Sequence, residues 1–498
     1  LLSEYYRLLR PFGTLVIGGT KGASDSLALA HKPLADLVAS SRDIDRKFHS
    51  LKDQQWHVIK RGKLPGSGEW SHQYANPGNT ACSEDIRISG DLRLQWYGKP
   101  GPYRMFDRHS YTTAPVYSSG RLFTLGEKIL YANDAYNGRL LWEKELPSLE
   151  PRVNLPRDCG YMVTDRDHVY LAIENNCIKV NARSGKTETE FNCPKIDDDH
   201  DYNWGYVATV DGLLFGSSVR SGNFYTEGRG PWYDDSGFNN AQDSHKVLSD
   251  CLFAVDLAGN SQAWKYNGVI INSTIAIGGD QIYFVENRNP KVLQDKSRRL
   301  SGGKEWMALH LVALDVKTGK RVWDKDMQFE QRTPVFFSTY KDGTLIVLRS
   351  SPKSFDLRAI DAKSGKPLWN RDHGWENNHH GAHRRHPVII GDVVYQQPRA
   401  YDLKTGEEKW STSKVGVGGN CGTLSASSTM LFSRLSDYPG FIDLGEEMKK
   451  ENLVEITRPG CWINIIPVGG MVLVPEAGSG CSCEYSIHAS MGFLPRKN

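Results

Sequence analysis

Four histidines fall within eight residues, His379, His380, His383 and His386, in a run that also carries Arg384 and Arg385. Imidazole is the commonest side-chain ligand for transition metals and serves as a base near neutral pH. The run therefore offers a metal ligand or a proton acceptor, or it is a solvated loop in which His386 merely begins a strand. Cys461, Cys481 and Cys483 form a second cluster, preceded by Cys421. Joined by His383, these thiolates would make a tetrahedral site for zinc or another soft metal. A single disulfide from Cys461 to Cys481 or Cys483 is the rival outcome. Arg108, Arg157, Arg332, Arg385 and Arg458 make a third set, suited to gripping a carboxylate, phosphate or sulfate in two-pronged fashion, unless some pair with Asp107 or Asp158. His109 joins His383 and His386 as a candidate base. Residues 224–238 add Trp232 and Tyr233 between glycines, a surface for stacking on a sugar ring or for packing a lid.

A recurring hairpin must position these residues. Residues 312–326 read as an alternating apolar run, a Lys-Thr-Gly turn and a second strand carrying Trp323. Near copies lie at 134–142, 361–369 and 402–410, with degenerate copies at 181–185 and 256–264. Within each copy the Asp is expected to cap the turn, the Gly to supply a positive φ and the Trp to slot between neighbouring sheets. Such a unit cannot bury its faces alone, so it must stack on its neighbours.

The repeat resembles that of the quinoprotein alcohol dehydrogenase-like propellers, the PQQ-repeat proteins, from about Trp70 to the C-terminus. The resemblance implies an all-β, eight-bladed β-propeller, with inner strands opening near Thr113, Tyr161, Trp204, Thr274, Thr333, His386, Thr423 and Trp462. Residues 70–81 resemble the segment that leads into such a ring, and Leu-Arg-Leu-Gln-Trp, ending at Trp96, resembles an outer strand that completes the last blade and removes its open edge. Loops preceding the inner strands, and loops joining second to third strands, share one face. That face gathers the arginines, histidines and cysteines above, with the insertions 221–250 and 287–307. Dehydrogenases of this kind cover pyrroloquinoline quinone with a vicinal Cys-Cys disulfide, and this chain has no adjacent cysteines. A bound quinone is therefore not expected, and a periplasmic or extracellular setting is implied by the resemblance alone.

Residues 1–63 are expected to form a small α/β extension outside the 64–498 ring: a helix ended by Pro11, a strand at 14–18 and a last strand near 55–61. These elements resemble the closing part of a class I S-adenosylmethionine-dependent methyltransferase. The glycine-rich loop that would hold the cofactor is missing, so S-adenosylmethionine is not expected in this fragment. With 61 basic and 58 acidic residues the net charge is +3, which gives no electrostatic case for nucleic acid. No apolar run approaches the length of a membrane span. Nine unevenly spaced cysteines do not describe a disulfide framework.

The expected function is an enzyme working at the axial mouth, redox or lytic, on an anionic carbohydrate-like or small organic substrate. Two alternatives of other classes stand beside it: a non-catalytic scaffold that binds protein partners, and an accessory domain of a methyltransferase.

Overall fold

A computed structural model describes residues 5–6, 8–18, 49–52, 56–101, 103–105, 113–150, 152, 160–224, 246–300, 306–327, 335–351, 354–374, 385–411, 422–435, 438–445, 448–460, 462–475 and 488–496. The chain divides into two compact units, Leu1–Ser67 and Gly68–Asn498. The division falls at Ser67, not at the expected Lys63.

The first unit holds three strands, β1 (Thr14–Gly18), β2 (His49–Lys52) and β3 (Trp56–Lys60). Their order is β1-β3-β2, so the last strand is central and antiparallel to both neighbours. Ile59 is fully buried there against Tyr6, Leu15 and Ile17.

In the second unit the described strands form six four-stranded antiparallel sheets, spanning 116–145, 162–192, 336–374, 388–411, 425–452 and 466–495, and one larger sheet whose two meanders, 202–271 and 276–327, are continuous through the Ile270–Glu286 pair. In chain order, with those two meanders taken separately, they make the successive units. The last is completed from the other end of the chain: β4 (Leu92–Gly98) pairs with Ser490–Pro495, placing Trp96 opposite Gly492. The first strands of the units open close to the residues expected from the sequence pattern, for example Met162–Thr164 after Tyr161 and Val388–Ile390 after His386.

The repeated hairpin explains how the units stack. In each copy the side-chain oxygen of the Asp, or of Asn181 in the copy at 181–185, accepts backbone N–H groups of the turn, as Asp315 does from Thr318 at 2.8 Å, Asp402 from Thr405 at 2.9 Å and Asn181 from Arg183 at 3.0 Å. Those bonds hold the Asp402 carboxyl down at about 2. Each Trp then reaches the following unit. Trp96, Trp142, Trp264, Trp323 and Trp369 donate their indole N–H to the carbonyls of Ala135, Ala182, Val316, Ala362 and Leu403, at 2.9–3.1 Å. Each ring also lies flat against the turn glycine of that unit, Trp323 on Gly365 and Trp369 on Gly406. The glycine thus serves two needs at once: its φ is positive, and a Cβ at Gly365 would stand 2.9 Å from the Trp323 ring.

These two needs separate by mutation. Gly343 also has a positive φ, 77°, but nothing lies within 4 Å of its Cβ position. Gly343→Ala should lower the unfolding free energy by about 1–2 kcal/mol, the cost of the left-handed backbone. Gly365→Ala should lose that plus about 1–3 kcal/mol for displacing the indole. Equal losses in urea unfolding would mean that the Trp323 contact contributes nothing.

Candidate functional site

Residues 70–85 run along the inner edges of the first strands and occupy the axis. A first strand has one unpaired edge, and its N–H groups need acceptors there. Carbonyls of the axial segment supply them unit by unit: Trp70 to Tyr117, Ser71 to Thr164, Pro77 to Ile277, Gly78 to Tyr340, Thr80 to Ile389 and Ala81 to Ala426, all at 2.7–2.9 Å. The third and eighth units are met by side chains. His72 Nε2 accepts from the Thr209 N–H at 3.2 Å, and Asp85 accepts from the Gly470 N–H at 2.7 Å.

Tyr74 projects from this segment into an aromatic cluster. Its ring stacks on His386 with centroids 3.7 Å apart, Phe337 packs edge-on at 5.8 Å, and the Trp462 indole donates to the Tyr74 hydroxyl at 3.2 Å. His386 is fully buried. Its Nδ1–H donates to the Pro387 carbonyl at 2.6 Å, which leaves Nε2 as the unprotonated nitrogen, with no partner among the described residues. Burial holds this imidazole down at about 3, and likewise that of His72. His386, expected among the bases, is thus a buried imidazole stacked on Tyr74.

The expected cationic rim also changes. Of its members, Arg385 and Arg458 are described, and both are buried, Arg458 completely. Burial brings the Arg385 guanidinium down to about 10. Arg434, which sequence reasoning missed, is also buried, on the strand Met430–Leu435. Arg108, His109, Arg157, Trp232, Tyr233, Arg332, His383, Cys421, Cys461, Cys481 and Cys483 lie outside the described residues. Among the described residues no group of three or more His, Cys, Asp or Glu side chains is arranged to hold a metal ion. Cys82, Cys177, Cys193 and Cys251 are free thiols. Burial raises all four, Cys82, Cys193 and Cys251 to about 12, so they are unreactive at neutral pH.

The two long insertions turn out to be joined. Arg299–Leu300, from the second, pairs with Lys246–Val247 at the end of the first. Arg299 also donates to the carbonyls of Gly222, Asn223 and Phe224 at 2.9–3.0 Å. Below them Asp250, buried, takes Arg298 Nε on one oxygen and Arg220 Nε on the other, both at 2.6 Å, with the Tyr202 hydroxyl at 3.2 Å. Tyr202 also donates to Asp197, and Asp197 holds His200, whose Nε2 faces Arg220 at 3.1 Å. Three chain segments are thereby tied by one buried charge network. A sequence signal for part of it exists, because Asp165, His168 and Tyr170 repeat the spacing of Asp197, His200 and Tyr202 with the same hydrogen bonds. Beside the network, Arg152 lies 3.8 Å from the Phe224 ring centroid and 5.0 Å from that of Tyr161, and donates to the Trp204 carbonyl at 2.9 Å.

With this geometry established, residues 308–437 match the family profile PQQ_2, described as outer membrane protein assembly factor BamB. A europium-containing methanol dehydrogenase superposes with a TM-score of 0.57 at 11% identity, over 86% of this chain and 98% of the other. The fold is a β-propeller. Quinohemoprotein alcohol dehydrogenase from Comamonas testosteroni gives 0.55 at 13% identity, covering 94% of this chain and 86% of the other. The quinohemoprotein alcohol dehydrogenase ADHIIG from Pseudomonas putida gives 0.52 at 13%, covering 86% and 82%. Among curated proteins nothing matches. At these identities the likeness is one of architecture.

Two outcomes follow for the described side chains. Asp250→Asn should cost about 3–5 kcal/mol, because two largely buried guanidinium groups lose their counter-charge. Arg321→Ala, which removes an exposed partner of Asp324, should cost less than about 1 kcal/mol. Denaturant melts that rank the two in the reverse order would show the network to be unimportant. The second outcome concerns acid. In the unfolded chain His386 takes a proton near pH 6.5, whereas in the folded chain it does so only near 3. Its contribution is therefore complete above the unfolded value and is lost as pH falls, by about 2 kcal/mol at pH 5. His386→Phe should flatten the change in stability between pH 7 and pH 5 by about that amount, and an unaltered slope would contradict the burial of a neutral imidazole.

Proposed function

We propose that this propeller is an oxidoreductase-like enzyme whose site lies at the axial mouth, on the face of the loops that precede the first strands, and that it acts on a small organic or carbohydrate-like anion. The observation that carries this reading is the axial segment. It fills the inner edges of the ring, so that the mouth on that face is blind and floored by Tyr74, His386, Phe337 and Trp462. Blind, partly aromatic mouths on a rigid scaffold suit small-molecule chemistry. The activities of the superposing proteins, methanol and alcohol dehydrogenases, favour redox over lytic chemistry.

In this reading Arg108, Arg157 and Arg332 bind the anion, and the buried Arg385 and Arg458 add positive potential beneath it without touching it. His109 and His383 are the bases, and Trp232 and Tyr233 stack on the substrate. Cys421, Cys461, Cys481 and Cys483 with His383 are a soft donor set, fitted to zinc and unsuited to the hard oxygen-seeking ions. A metal there would supply Lewis acidity. No adjacent cysteines are present, so a bound quinone is not part of the proposal. The proposed setting is periplasmic or extracellular, and among the described residues no helix is long and apolar enough to cross a membrane.

A second reading, a protein-binding scaffold, is favoured by the 308–437 match to an assembly factor. For residues 1–67, the β1-β3-β2 order favours the tail of a methyltransferase-like sheet. The test is elemental analysis and an absorbance spectrum of the purified protein, followed by dye-linked oxidation of a panel of uronates and hydroxy acids. Oxidation of an anionic substrate with stoichiometric dye reduction, weakened at least about tenfold in KM by Arg108→Gln or Arg332→Gln, is the expected result. Unsaturated product without dye reduction would establish a lyase instead, and no turnover of any panel member would leave the scaffold reading.

A further inference from the structure

We propose that the opposite face of the propeller carries a second binding site, for a small organic cation with an apolar body, of the alkylamine class. It lies where the turns joining first to second strands of the third, fourth and fifth blades meet the axial segment. These turns stand at the far end of the first strands from the mouth described above, so this site is independent of the proposed enzymatic reading.

A cavity of about 410 Å³ is present there, within the range that holds a small organic molecule. Pro77, Ile277, Val316 and Tyr340 give it an apolar floor. The Tyr340 ring stacks on Tyr283 with centroids 5.7 Å apart and is wedged over Gly279, so its position is set by packing rather than by a ligand. A tyrosine face fixed in this way is a fitting surface for a cation.

Around the rim, three successive turns place Asp211, Asp280 and Asp342 at the same step of the repeat, each exposed. Their φ angles, 48°, 62° and 46°, call for a residue that tolerates the left-handed region, and Asn or Gly would serve that purpose equally well. Among the described residues Asp211 and Asp280 have no ionic partner. The one cation in the lining, Lys341, is already engaged by Glu84 and lies 3.8 Å from Asp342. In a chain of net charge +3 this cavity is therefore locally acidic. A bare divalent ion fits it poorly, because the floor between the carboxylates offers apolar surface in place of converging oxygens.

Calorimetric titration of the full chain with hexylammonium chloride, 1-hexanol and magnesium chloride, at matched ionic strength, tests the assignment. Hexylammonium should bind with a stoichiometry near one, and neither hexanol nor magnesium should displace it. Replacing Asp211, Asp280 and Asp342 together by Asn, which keeps the turn conformation, should weaken binding about tenfold or more. If the triple variant proves unstable, Asp211→Asn and Asp280→Asn singly should each give part of the loss. Hexanol binding as tightly as hexylammonium, magnesium competing as well as the amine, or unchanged affinity in the Asn variants would overturn the proposal.

Discussion

Everything in the ring depends on where the first strands find partners for their free edges. A propeller blade offers its outer edge to solvent and its inner edge to the axis, and an inner edge without acceptors would leave backbone N–H groups stranded in a nearly water-free channel. Residues 70–85 provide those acceptors for every blade, six through main-chain carbonyls and two through His72 and Asp85. One segment thus ties residues from each of these sheets to a single stretch of chain.

Between blades a different interaction repeats. Five tryptophans, Trp96, Trp142, Trp264, Trp323 and Trp369, lay the ring on the next turn's glycine and the N–H on the next turn's carbonyl. This coupling was legible in the sequence because it is local in register: Asp, Gly and Trp recur at fixed spacing, and each has one physical task. Closure by Leu92–Gly98 was legible for the same reason, since a lone outer-strand pattern without companions requires a partner blade. The axial segment was legible only as a departure from the repeat. Its hydrogen bonds join residues hundreds of positions apart, and no periodicity marks them.

Charged residues of the mouth were harder to read. Composition separates an arginine from a leucine but not a rim arginine from a buried one, and Arg458 and Arg434 are wholly enclosed. His386 stood out because it ended a histidine run. Its stacking on Tyr74, an aromatic from the other end of the propeller, is a contact that no local pattern signals. Asp250 was invisible for a related reason: Arg220, Arg298 and Tyr202 come from separate segments, and only the fold brings them to one carboxylate.

The Asp250 network also bears on how the mouth is built. Loops on a propeller face usually vary independently, since each is anchored at its own blade. Here the insertions of the third and fourth blades share a strand pair and a buried carboxylate, so they behave as one wall. Arg152, held between Phe224 and Tyr161, ties the same wall to the second blade. A wall assembled from three blades makes one side of the mouth rigid. The loops on this face are therefore coupled unevenly although the hairpin beneath them repeats, and under the proposed reading a rigid wall on one side is what selective recognition of a single ligand orientation requires.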